Sequence, residues 1–425
     1  MLNKVFPRYA AATLFQMILF VSVASAQDAS TEVNQLTVRE AIKLAHDQHP
    51  ALNKIREKIR EKGGERISSL GIHSPALSYT KEGIDDGIFA EQRVGVSQAI
   101  DFPLSSYYKV SQKRTEQEAL MLELESATHM VKGSVKRAYT NVLFAQALVQ
   151  LHTQEVRLAE QLTEVASVRT EVGEVSELEL MKAEIQGAEA RSNLEDTQRQ
   201  FQNARLELLN IIGLDPDIDD SSITFPDTLI YVISNLDHAA ALSRLGLQPE
   251  LLSASKSVDA AQFGVKGARS ALLPAIQVDL FKQDFGSGYD RYGFQIGLRL
   301  PLWVVPNHKG AVQIAKAQSQ RLVWHKQAVF IDLKKQVEQA WAGYQSSKNI
   351  IDRYNSNVRT KTEELLAKTQ EGYRLGELDL LTLLDTQRTY LASERRYYNA
   401  LRDYYDQLIE LERFTGEDLV FNTGE

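Results

Sequence analysis

The sequence predicts a mostly α-helical protein with a small β part suited to a membrane, built from two tandem copies of one unit. Each copy contains a long stretch without proline whose apolar residues recur every seven positions, which is typical of packed helices. Each copy also contains two short segments of alternating apolar and polar residues, the pattern of paired strands. The prolines reveal the repeat, because three of them return about 200 residues later: Pro50, Pro75 and Pro103 recur as Pro249, Pro274 and Pro301.

The composition is that of a chain with a core. Of the 425 residues, 43% are hydrophobic and 24% are charged, which excludes a disordered tail. The formal net charge of −8 argues against a nucleic-acid partner, because such proteins usually carry a basic excess. The chain has no cysteine, which excludes disulfides, thiolate metal sites and a lipoprotein anchor.

Residues 1–26 have the pattern of a cleaved secretory signal peptide. Lys4 and Arg8 form the basic start, residues 10–23 are mostly apolar, and the run Ala-Ser-Ala ends at Ala26. The alternative is an uncleaved membrane anchor, but the apolar stretch is short for a membrane span. We therefore expect an exported protein.

The repeat divides the mature chain into two domains. The run SPAL around Pro75 corresponds to LPAI around Pro274, and further matches follow at similar spacing. We expect one copy over 27–213 and the other over 236–425. The acidic and polar stretch 214–235 is the expected linker, in an equatorial position.

Each copy should contain one helix much longer than a globular core requires. Residues 105–172 and 307–375 contain no proline and would each extend roughly 100 Å as helix. Their apolar residues follow a heptad, which indicates packing against neighbouring helices along the whole length. In the second copy this heptad consists of Val337, Tyr344, Ile351, Val358 and Leu365.

A glycine-centred turn should end each long helix and start a returning one. Gly173 and Gly376 are suited to a helix C-terminus, and Ser176 and Asp379 are suited to cap the next helix. Each copy thus forms a helical hairpin. The returning helices are expected over 177–212 and 379–414.

A β hairpin should precede each long helix, over 76–101 and 276–300, after a shorter helix over 50–72 or 248–272. Alternating strands of about ten residues joined by Gly/Asp turns are typical of membrane barrels. Four strands cannot close a barrel, and open edges are not stable in lipid. If the strands lie in a membrane, several chains must pool them against the outer-membrane lipid, and a homotrimer would supply twelve strands.

The second hairpin tip carries the motif Tyr373-x-x-Gly376-x-x-Asp379-x-Leu381-x-x-x-Asp385. Together with the signal peptide, the tandem repeat and the two strands per copy, it resembles the TolC family of outer-membrane efflux ducts. The tip of the first copy matches more loosely, with Thr170 in place of an aromatic residue. The run VSQAIDFP that ends at Pro103 resembles the cation-efflux, CzcC-like branch of the family.

The resemblance implies a fold and a function. Family members are trimers that form a 12-stranded β-barrel in the outer membrane and a 12-helix α-barrel across the periplasm. They are passive exit ducts that work with a periplasmic adaptor, or membrane fusion protein, and an inner-membrane pump. We therefore expect the exit duct of a tripartite efflux system, conducting metal cations or small toxic compounds. It would be located in the outer membrane and reach into the periplasm.

The resemblance also implies a gate at the periplasmic tip, with Gly173 and Gly376 at the turns and Asp379 as a helix cap. Asp385 would form a threefold ring of negative charge at the narrow end, and Tyr373 would contact Glu179. Two positions depart from the family pattern: Thr382 replaces an acidic residue, and Leu378 replaces an arginine that latches the closed tip. The alternative is that Asp385 and Glu179 are solvated helix residues.

The sequence contains no pattern for catalysis, a cofactor or a metal. Motifs of ATPases, zinc proteases and serine hydrolases are missing, so we expect no enzyme activity. His46 and His49 could approach one another, but a solvated helix end before Pro50 is the simpler interpretation. Two other functions stay open, the exit duct of a type I protein-secretion system and a periplasmic coiled-coil scaffold without a pore.

Overall fold

A computed structural model of the chain describes residues 35–85, 88–214, 223–234, 236–285, 288–289, 291–299 and 305–421. The expected signal peptide and residues 215–222 and 235 of the expected linker lie outside these ranges. The helices are α1 (Val38–Gln48), α2 (Pro50–Ser68), α3 (Pro103–Glu171), α4 (Glu177–Ile212), α5 (His238–Ser243), α6 (Pro249–Ser270), α7 (Val305–Arg353), α8 (Arg359–Arg374) and α9 (Leu380–Thr415). The strands are β1 (Ala76–Asp85), β2 (Ile88–Ile100), β3 (Ala275–Asp284) and β4 (Arg291–Arg299).

The first copy contains the expected long helix and its returning partner. α3 has 69 residues, starts with Pro103 in its first turn and stops before Gly173, whose φ is 76°. α4 has 36 residues and ends at Gly213 in the left-handed conformation. Both glycines reverse the chain where another residue would be strained, so each helix ends at a defined point.

The long helix of the second copy is interrupted, in contrast to the expected continuous helix over 307–375. α7 gives way at Tyr354–Val358 to one turn of π-helix, and α8 continues from Arg359. A π turn inserts one extra residue and rotates everything beyond it around the helix axis. The Arg359 side chain directly after the π turn reaches Glu394 on α9, with nitrogen–oxygen distances of 3.0 and 3.1 Å.

The short helices stop slightly earlier than expected. α2 ends at Ser68 rather than near residue 72, and α6 ends at Ser270. After α2 the chain turns at Gly71, which has a φ of 75°, and the Gly71 carbonyl accepts from the Asp101 amide. This contact joins the start of the first β hairpin to its end.

The four strands form one antiparallel sheet in the order β1-β2-β3-β4. Pairing of β2 with β3 unites the two copies, because Val96 lies opposite Leu280. The same row continues outward to Leu77 on β1 and Phe294 on β4. All four side chains are exposed, Leu77 to 83% and Phe294 to 73%, so one face of the sheet is apolar across its width.

The expected linker is an extended segment fixed across the helices at mid-length. Three tyrosine hydroxyls donate to alternate carbonyls of this segment: Tyr405 to Ile230 at 2.8 Å, Tyr404 to Val232 at 2.9 Å and Tyr344 to Ser234 at 2.5 Å. Alternate carbonyls point the same way in an extended chain, which explains the regular spacing. We call residues 223–234 together with α1 and α5 the belt.

Among the residues that the structure describes, no helix is both long and apolar enough to cross a membrane.

Candidate functional site

The two hairpin tips lie side by side and share a small core. Gly376, with a φ of 77°, makes the same turn as Gly173 in the first copy. Asp379 begins α9, and its carboxylate accepts a hydrogen bond from the Thr382 amide at 2.8 Å. Hydrogen bonds from Thr382 hold the pKa of Asp379 below its usual range. The shared core is apolar and consists of Leu162, Ala166, Ala183, Tyr373, Leu380 and Leu383.

Tyr373 connects the two hairpins. Its ring is buried, with 2% of the residue exposed, and its hydroxyl donates to Glu179 Oε1 on α4 at 3.1 Å. Burial, followed by the negative charge of Glu179, raises the pKa of Tyr373 to about 12. The phenol therefore stays protonated and remains a donor at any physiological pH.

A residue that the sequence analysis missed completes this contact. Arg169, near the end of α3, donates from Nη1 to the Tyr373 carbonyl at 3.1 Å. Its guanidinium carbon also lies 5.2 Å from the centre of the Tyr373 ring, a cation–π distance. Arg169 directly precedes Thr170 of the looser tip motif, so its place in the sequence was the available signal.

Leu378, at the position where the family pattern has an arginine, does not supply a cation. It packs over Gly372, where an added Cβ would lie 2.7 Å from Leu378 Cδ1. The Leu378 amide also donates to the Gly372 carbonyl at 3.2 Å. Arg169 on the first hairpin thus places a cation beside Tyr373, and Leu378 packs so closely over Gly372 that a larger residue at 372 would displace the Leu378 side chain.

Asp385 belongs to a different face of the tip. It is exposed on α9, whereas its neighbours Leu383, Thr386 and Gln387 are buried against the other helices. An α-helix turns by about 100° per residue, so Asp385 lies on the opposite side of α9 from the direction midway between Tyr404 and Tyr405. These two tyrosines bind the belt. The structure therefore groups Glu179, Tyr373 and Gly376 around Arg169, and separates Asp385 from them.

The candidate histidines have local structural partners. His49 Nδ1 accepts from the Ala51 amide at 3.2 Å and caps α2, and His46 Nδ1 lies 3.1 Å from Asp47 Oδ1. Across the part of the chain that the structure describes, no group of three or more His, Asp or Glu side chains could hold a metal ion.

Comparison with solved structures defines the class of fold. The chain aligns with VceC of Vibrio cholerae at a TM-score of 0.77, with 18% identity, covering 90% of this chain and 96% of that one. It aligns with CusC at a TM-score of 0.73, with 17% identity, covering 90% and 92%. These are outer-membrane channel folds, as the sequence predicts.

The chain belongs to the outer membrane efflux protein family, whose profile matches residues 72–214 and 243–417. The pyoverdine export outer membrane protein OpmQ of Pseudomonas putida is 24% identical over 87% of this chain and 82% of its own length. The cobalt-zinc-cadmium resistance protein CzcC of Cupriavidus metallidurans is 26% identical over 67% of this chain and 68% of its own length. The family and the fold are those of outer-membrane efflux channels, which confirms the predicted resemblance.

Proposed function

We propose that three copies of this chain form the passive exit duct of a tripartite efflux system in the outer membrane. The observation that carries the proposal is the apolar row Leu77, Val96, Leu280 and Phe294 across the sheet. An exposed apolar face of this width is suited to lipid. Within the described chain, β1 and β4 each pair on one side only, and three copies would pair these edges with one another.

The signal peptide would direct export and be cleaved after residue 26. The helical hairpins of the duct would then extend into the periplasm. It would have no catalytic activity of its own, and an inner-membrane pump would supply the energy. OpmQ is named as a pyoverdine export protein, and CzcC is named as a cobalt-zinc-cadmium resistance protein. We infer a small exported solute for this chain, and either a metal cation or an organic compound fits that class.

The periplasmic adaptor would bind at the hairpin tips. A groove with a volume of about 370 Å³ runs between α3 and α8, with α9 as its floor. Its lining is partly apolar and includes Leu158, Val165 and Tyr373. A helical hairpin of an adaptor could lie in such a groove, as amphipathic helices do in other helix-in-groove complexes.

The contact of Tyr373 with Glu179 and Arg169 would keep the tip closed until the adaptor binds. In the same account, Asp385 would face the lumen and Gly173 and Gly376 would fix the turns on which the tip closes. Binding in the groove beside Tyr373 would compete with this contact, which would couple docking to opening.

A charge placed on the apolar row tests the membrane location. Leu280→Lys should reduce outer-membrane insertion, since a lysine in the middle of the lipid face costs about 2–4 kcal/mol. Lys282→Leu, two residues further along β3, is the control that leaves the row apolar. A Leu280→Lys protein that inserts and conducts like the wild type would contradict the proposal.

A further inference from the structure

Three exposed arginines follow Asp385 along α9, on the side of the helix that no other described helix of the chain covers. We call this side the open face of α9. Arg388, Arg395 and Arg396 are exposed, and none of them makes an ion pair or hydrogen bond with any residue that the structure describes. By helical rise, Arg388 lies about 4.5 Å behind Asp385, and the other two lie about 10–12 Å beyond Arg388.

Along the stretch of α9 that carries the arginines there is no exposed negative charge, and the nearest exposed acidic residues of this helix face are Asp385 before it and Asp403 after it. Between residues 386 and 402 the sequence contains a single acidic residue, Glu394. Glu394 is buried, with 3% exposed, and Arg359 on α8 binds both of its oxygens. The stretch from Arg388 to Arg396 therefore presents a concentrated positive charge over about two helical turns.

The belt indicates which side of α9 faces inward. It packs at mid-length on Tyr404 and Tyr405, and a belt inside a duct would obstruct it, so that side is the outer one. At about 100° per residue, Arg388, Arg395 and Arg396 lie roughly 130–150° from the direction midway between the two tyrosines. Neighbouring helices also cover the belt side of the α9 tip, since Leu383 and Tyr390 are buried there.

We propose that these arginines line the lumen and bind the carboxylate groups of organic anions on their way out. The inference rests on the proposed duct function and names its substrate class. Guanidinium groups bind carboxylates with paired, charge-assisted hydrogen bonds, and rings of arginine favour anions in pores. The entrance is then bipolar, with the carboxylates of Asp385 at the tip and two tiers of arginine behind them, one of Arg388 and one of Arg395 with Arg396.

A competing arrangement places the same arginines at the subunit interface. α4 carries exposed acidic residues at Glu184, Glu189 and Glu195. If α4 of a neighbouring copy covered the open face of α9, these groups would pair with the arginines. The arginines would then hold the trimer together and would not be available to solutes.

Current block by citrate in planar bilayers separates the two arrangements. We would compare the wild type with R388Q/R395Q/R396Q and with the control K361Q/K368Q/R374Q, which removes the same charge from α8. With citrate on the barrel side, the R388Q/R395Q/R396Q variant should need about tenfold more citrate for half-block, because charge-assisted contacts are lost. It should also become more cation-selective, whereas the α8 control should behave like the wild type.

Two results would overturn the proposal. One is an equal citrate block in the wild type and in R388Q/R395Q/R396Q. The other is dissociation of that variant into single chains together with an unchanged block in Arg388→Gln alone, which would assign the arginines to the interface. A trimer that conducts no ions even when Arg169→Gln removes the closing contact at the tip would instead refute the duct function itself.

Discussion

Lys136 of α3 and Glu412 of α9 form a buried ion pair that fixes the C-terminal segment. Lys136 Nζ lies 2.6 Å from Glu412 Oε2, and their side chains are 3% and 8% exposed. The other carboxylate oxygen of Glu412 accepts from the amides of Leu419 and Val420 at 2.6 and 2.7 Å. One carboxylate thus joins the two repeats and the chain end.

Lys136→Met should lower the free energy of unfolding by about 3 kcal/mol, because it leaves the buried carboxylate of Glu412 charged and without a cation. Chemical denaturation in detergent would measure the change. Lys132→Met is the matched control, since Lys132 pairs with Asp418 at the surface, at 38% and 53% side-chain exposure, and should cost below about 1 kcal/mol. Equal effects of the two substitutions would show that burial of the pair does not matter.

Tyr373→Phe should raise the single-channel conductance or open time of the isolated trimer. It removes the hydrogen bond to Glu179, which is worth about 1 kcal/mol, and leaves the buried ring in place. Arg169→Gln should have a larger effect, because it removes the bond to the Tyr373 carbonyl and the cation beside the ring. Tyr107→Phe, at an exposed tyrosine, is the control. No change in gating in either tip variant would exclude this contact as the closing element.

Asp385→Ala should weaken cation selectivity and reduce block by multivalent cations added from the tip side. Three carboxylates around a narrow axis attract cations strongly, since screening by water is poor there. Reversal potentials in a salt gradient would measure the effect, with Glu364→Ala, at an exposed residue of α8, as the control. If selectivity and block stay at the wild-type level, Asp385 does not line the pore.

Acid should release α2 from α3 only at very low pH. Glu65 lies 2.8 Å from Lys62 and 2.7 Å from Lys113, and these hydrogen bonds, that of Lys113 first, lower the pKa of Glu65 to about 2. Because the pKa of Glu65 is lowered on folding, its ion pairs stabilise the protein fully at a pH above 4.5, the ordinary pKa of a glutamate. This stabilisation is lost as the pH falls towards 2. Hydrogen exchange of α2 should therefore rise across this window, and Lys113→Gln should move the rise to higher pH. Equal profiles for both proteins would refute the role of Lys113.

The sequence was sufficient for those parts of the fold that follow from periodicity and from glycine. The heptads and the turns at Gly173 and Gly376 predict helices within a few residues of the observed bounds, and the alternating segments predict all four strands. The expected packing along the whole second heptad is wrong beyond the π turn, where Val358 and Leu365 are exposed. Both signals are local, because a helix face or a strand face is encoded in neighbouring residues.

The remaining features depend on contacts between distant segments. The π turn at Tyr354–Val358 was not predicted from the sequence, and Arg359 directly after it contacts Glu394 on another helix. Arg169 at the tip was missed for the same reason, since it acts on Tyr373 across the two repeats. The contact of Tyr373 with Glu179 came from the family resemblance, and its role in gating stays a prediction.

Native mass spectrometry of the detergent-solubilised protein tests most directly whether three chains share their strands in one duct. The account predicts a stable species of three chains, each slightly lighter than 47.8 kDa after cleavage of the signal peptide. A stable single chain that retains its β-sheet signal in circular dichroism would contradict it.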